Sequence, residues 1–79
     1  METDASTFFA QRTSDITGLS LTELEELCGA VDPDMFPTTA AYRVAVHDAA
    51  RDAIEEATGA PASRFNVRVA ADHVLSVHR

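Results

Sequence analysis

The side chains able to do chemistry in this chain are few and poorly grouped. Cys28 is the single cysteine, so an intramolecular disulfide is impossible. A reactive thiolate needs electropositive surroundings, whereas Cys28 falls on the apolar face of a stretch carrying Glu23, Glu25 and Glu26. It reads as a core thiol. His73 and His78 are five residues apart, off the i, i+4 spacing that sets two metal ligands on one helical face. No Cys/His group has zinc-site spacing. His47, Asp48 and Arg51 lie close together, and Asp48, Asp52, Glu55 and Glu56 offer carboxylates for acid–base work. With no concave site implied, they read as the solvated face of a helix, with Arg51 and Glu55 paired at i, i+4. The 3 glycines are scattered, so there is no phosphate-cradling loop. These residues predict no enzyme, no cofactor, no metal and no small-molecule substrate.

Charge is more informative. The 79 residues include 6 arginines, no lysine and 13 acids, for a net charge of -7. Residues 19–37 hold Glu23, Glu25, Glu26, Asp32 and Asp34 with no base. Residues 61–79 hold Arg64, Arg68 and Arg79 against Asp72, making them the only basic segment. Any contact with phosphate is therefore expected at Arg64, Arg68 and Arg79. The competing reading pairs Arg64 and Arg68 with Asp72 or with the carboxylates of a neighbouring chain. The acidic, polar start Met1–Thr7 is unlike a signal peptide, and no apolar run approaches the roughly 18 residues of a membrane span. A soluble, cytoplasmic chain without membrane contact is expected.

The elements that would position these groups are helical. Residues 1–18, rich in Thr, Ser and Asp, read as a flexible tail, with room for one short helix around Ser6–Arg12. Phe8-Phe9 is its apolar exception. Ser20-Leu21-Thr22-Glu23 fits a capping box, and Leu19 and Leu24 fit a hydrophobic staple. Leu21, Leu24, Leu27, Cys28 and Val31 then follow at helical spacing, and Asp32-Pro33 ends the run. A long second helix is capped by Thr38 and stopped by Thr58-Gly59 with Pro61 beyond. Its stripe Tyr42, Val46, Ala49, Ala50, Ala53 and Ala57 is mostly alanine, which lets another helix approach closely, while Val44 and Ile54 fall off it. Residues 63–79 are ambiguous. Phe65, Val67 and Val69 alternate as in an extended stretch, and Val74, Leu75 and Val77 suggest a short final helix. A hairpin of 65–69 with 74–78 is the competing pattern.

A domain this small buries only about 60–65% of its extended-chain surface. Without disulfide or metal, association is the remaining means of support. A homodimer or higher oligomer is expected, joined through the stripe Tyr42, Val46, Ala49, Ala50, Ala53 and Ala57.

The order of a medium helix, a loop, a long helix, an extended linker and a short helix resembles the histone fold, in particular the minimal archaeal histones. The resemblance covers Leu19–Arg79. It rests on Leu19, Leu21, Leu24, Leu27 and Cys28 in the first helix, on Phe36-Pro37-Thr38 at the first loop, and on Arg68–Val77 at the second loop and last helix. It implies an all-α, histone-like helix–loop–long helix–loop–short helix domain over 19–79. It also implies a dimer with a nucleoid- or transcription-associated role, and weak contact with double-stranded DNA from the second loop. Glu25 and Glu26 stand where histones are basic, Met35 stands where they place Arg, and the central helix is about one turn shorter. Leu spacing followed by Asp72-His73-Val74-Leu75 also occurs in AAA+ ATPase lids. A second resemblance, to head–tail connector proteins of tailed viruses, rests on Leu21–Leu27, Val31–Asp34 and Ala49–Gly59. It implies assembly into rings. An acidic DNA mimic or a protein-interaction module is a further alternative.

Overall fold

The computed structural model describes the backbone of residues 5–78 and the side chains of residues 8–78. It has four α-helices and no strand among the described residues: α1 (Ala5–Thr17), α2 (Leu21–Ala30), α3 (Thr39–Thr58) and α4 (Arg64–Val77), with a 3₁₀ turn at Pro33–Met35. No helix is long and apolar enough to cross a membrane.

The helix ends obey the local chemistry of the sequence. The Ser20 hydroxyl accepts from the Glu23 amide at 3.1 Å, and the Ser20 amide donates to Glu23 Oε1 at 2.8 Å, which closes the capping box. The staple residues Leu19 and Leu24 are both buried. Thr38 Oγ1 accepts from the Ala41 amide and Ser63 Oγ from the Asn66 amide, each at 3.1 Å. Gly59 ends α3 in the left-handed region at φ 70°, donating its amide to the Glu55 carbonyl at 2.9 Å.

Two segments depart from the sequence expectation. Where a flexible tail over 1–18 was expected, Ala5–Thr17 is helical and packs mainly on α4. Its buried residues are hydroxylic, which is why the apolar pattern is weak. Thr13 Oγ1 donates to the Phe9 carbonyl at 2.9 Å and Thr17 Oγ1 to the Thr13 carbonyl at 2.7 Å, so both hydroxyls enter the core already satisfied. The second departure is 63–79. Both the extended linker and the hairpin give way to one continuous helix, α4, in which Val67, Ala70, Ala71 and Val74 form the buried line at i, i+3, i+4 and i+7. The alternation of Phe65, Val67 and Val69 only samples two sides of that helix.

The core is closed by the chain itself. Leu19, Leu24, Leu27, Cys28 and Val31 meet Tyr42, Val46, Ala50 and Ile54 of α3 and the inner line of α4. The packed line on α3 is the i, i+4 ridge, which takes in Ile54 and leaves Ala57 exposed. Of the stripe expected at a dimer interface, Tyr42, Val46 and Ala50 lie inside this core, Ala49 and Ala53 are half-buried, and Ala57 is open. The Cα radius of gyration is 12.3 Å, close to the roughly 11–12 Å of a compact chain of this length. The end of α4 is tied to the end of α2 by His78, whose Nε2 donates to the Cys28 carbonyl at 2.7 Å.

Candidate functional site

Arginines separated in sequence converge between α3 and α4. A cleft of about 930 Å³ is lined by Arg43, His47 and Arg51 from α3, by Ala62, and by Arg64, Val67, Arg68, Asp72 and Leu75 from α4. Each wall is one helical row: Arg43, His47 and Arg51 at i, i+4 and i+8 face Arg64, Arg68 and Asp72 at the same spacing. Gly59–Ser63 turns the chain so that the two rows oppose each other. Four of the 6 arginines therefore line one cleft in a chain of net charge -7. The start of α4, capped by Ser63, adds the partial positive charge of a helix N-terminus beside Arg64.

Local acids only partly offset this field. Arg51 meets Asp48 at 3.5 Å and Arg68 meets Asp72 at 3.9 Å, with every partner at least half exposed. Exposed pairs of this kind are worth about 0–1 kcal/mol, so the guanidiniums are free to exchange partners. His47 Nδ1 lies 2.9 Å from the Arg43 carbonyl, which places a proton on Nδ1 because a carbonyl only accepts. Guanidinium is the side chain that pairs with carboxylate or phosphate through two parallel hydrogen bonds, and four of them line this cleft.

Of the residues expected to meet phosphate, Arg64 and Arg68 are among the cleft's lining, from the first turns of a helix and not from a loop. Arg79 lies outside the described residues. Arg43 and Arg51 do not stand out in the sequence because they lie among the acids of the long helix. Their i, i+8 spacing, with His47 between, was the signal available.

A second groove lies on the other flank of α3. Leu19, Leu27, Ala30, Ala49 and Ala53 form its floor, and Glu23, Glu26, Asp52 and Glu56 its rim. The two flanks of α3 thus carry opposite charge. Cys28 is buried in the core, and burial, with Glu25 nearby, pushes its thiol pKa up and away from nucleophilic use. Burial likewise raises the Tyr42 phenol, with Cys28 and Asp32 adding to it, and the Tyr42 hydroxyl has no hydrogen-bond partner among the described residues. No three His, Cys, Asp or Glu side chains among the described residues are placed to share a metal ion. Comparison of the chain with family models, with curated proteins and with solved structures gives no match in any of the three.

Proposed function

We propose that this chain is a small DNA-associated helical protein that holds the phosphate backbone of double-stranded DNA in the α3–α4 cleft, without catalysis of its own. The observation that carries the reading is the gathering of Arg43, Arg51, Arg64 and Arg68 on one cleft of an otherwise acidic chain. The histone-like part of the reading rests on the 20-residue middle helix between α2 of 10 and α4 of 14 residues; α4 is longer than α2, where a short last helix was expected. Contacts made by guanidiniums to phosphate oxygens fix position without reading bases. Binding is therefore tolerant of sequence and steeply dependent on salt. Such a role belongs at the nucleoid. The acidic rim of the α2–α3 groove favours a second reading, an interaction module for a basic protein segment.

The test is titration of the full chain with duplexes of unrelated sequence at several salt concentrations. Comparable affinity for each duplex, weakening as salt rises, supports the reading. Absence of binding at low salt overturns it.

A further inference from the structure

We propose that the groove between α1 and α4 is a homodimer interface, filled by the same groove of a second copy related by a two-fold axis. The groove encloses about 590 Å³. Phe9, Arg12 and Ile16 of α1 form one wall, and Val69, His73 and Val77 of α4 the other, with Asp72 at the rim. Its apolar side chains face solvent: Phe9 is 59% exposed and Val77 56%. Phe65, 65% exposed, sits one turn before Val69 on the same side of α4, and the Phe8 ring packs edge-on against Phe9 at 5.7 Å. α4 is thus apolar on two sides, and the chain's own core takes up the line Val67, Ala70, Ala71 and Val74, with Leu75 partly buried beside it. A phenylalanine has about 150–250 Å² to bury, so the three half-exposed rings leave about 300–400 Å² of apolar surface here. That is a large share of the roughly 800 Å² each partner contributes to a standard interface.

Charge selects a second copy as the occupant. The groove has one cation, Arg12, and one anion, Asp72, on opposite walls. Asp72 lies on the edge shared with the arginine cleft, and its exposed 3.9 Å pair with Arg68 is weak enough to exchange. A two-fold rotation brings Arg12 of each copy toward Asp72 of the other, so both pairs form at once. The other two surfaces cannot meet themselves in this way. The α2–α3 groove would set four carboxylates against four, and the α3–α4 cleft, with four arginines to the single Asp72, one net positive face against another. Of the three, the α1–α4 groove alone lets two copies of a -7 chain approach without like charges opposed. This interface differs from the alanine stripe on α3, and it leaves the arginine cleft open.

Sedimentation of the full chain across a concentration series tests the proposal, with circular dichroism to confirm helix content. Wild type is expected to be dimeric at micromolar concentration. Phe9→Asp and Val77→Asp, both at exposed positions, are expected to weaken dimerisation at least about tenfold with helix content retained. Arg12→Asp is expected to weaken it, and Arg12→Asp combined with Asp72→Arg to restore it. Ala53→Glu, in the α2–α3 groove, is expected to leave the dimer intact. A wild type that stays monomeric throughout the series overturns the proposal. So does dimerisation that survives both aspartate substitutions, or dimerisation lost only in Ala53→Glu.

Discussion

Replacing Arg43 and Arg51 with alanine separates a cleft built by two helices from a basic C-terminal segment acting alone. Four guanidiniums line the cleft, two from each wall. If each neutralises one phosphate, the slope of log K against log salt is about 0.9 per contact, or about 3.6 in all. Raising salt from about 50 to about 200 mM then weakens wild-type binding by about 150-fold for each chain engaged. Removing Arg43 and Arg51 halves the slope to about 1.8 and reduces the same loss to about 12-fold. Arg64→Ala/Arg68→Ala has the same effect on the slope, because each wall contributes two guanidiniums. The pairs Arg51–Asp48 and Arg68–Asp72 are exposed and contribute too little to change this arithmetic. All four arginines are exposed, so the fold is retained, which circular dichroism checks. The assay is fluorescence anisotropy of a labelled duplex at four or more salt concentrations. A wild-type slope in Arg43→Ala/Arg51→Ala, beside a lost slope in Arg64→Ala/Arg68→Ala, refutes the two-walled cleft. Unchanged slopes in both variants refute the site.

Three further outcomes follow from the packing. Tyr42→Phe removes a buried hydroxyl without a partner among the described residues, so stability in urea is expected to hold or rise, by up to about 1–3 kcal/mol; a clear loss shows that the hydroxyl is bonded. Ser63→Ala deletes the cap that starts α4 and is expected to cost about 0.5–2 kcal/mol in the same assay; no loss means that the cap does not hold the helix. Burial lowers the pKa of His73 from 6.5, with Arg12 and Asp72 the charged groups lining the same groove. Below pH 6.5 the unfolded chain takes up a proton that the folded chain refuses until lower pH, so stability falls as pH falls through that window. His73→Asn is expected to flatten this dependence; urea midpoints measured from pH 8 to 5 that fall equally in both proteins refute it.

The sequence by itself determined the helix boundaries wherever a local hydrogen bond or a backbone restriction sets them. The Ser20–Glu23 box, the Thr38 cap and the left-handed Gly59 depend on a few neighbouring residues, and they stand where the spacing places them. Of the apolar face read at helical spacing, Leu24, Leu27, Cys28 and Val31 are buried, whereas Leu21, in the first turn, is 43% exposed. Only the tertiary structure decided the rest. Residues 5–17 carry no strong apolar period, because the buried positions Thr13 and Thr17 are hydroxylic and hide their polarity in bonds to their own helix. Gly18, at φ 81°, was the local mark of that helix's end. Residues 64–77 fit strand and helix patterns alike, and the choice fell to the helix because its line Val67, Ala70, Ala71 and Val74 fits against the rest of the core. The candidate site shares this origin. Arg43 and Arg51 share a row within α3, and Arg64 and Arg68 a row within α4, but the two rows add to one field only because α3 and α4 pack side by side.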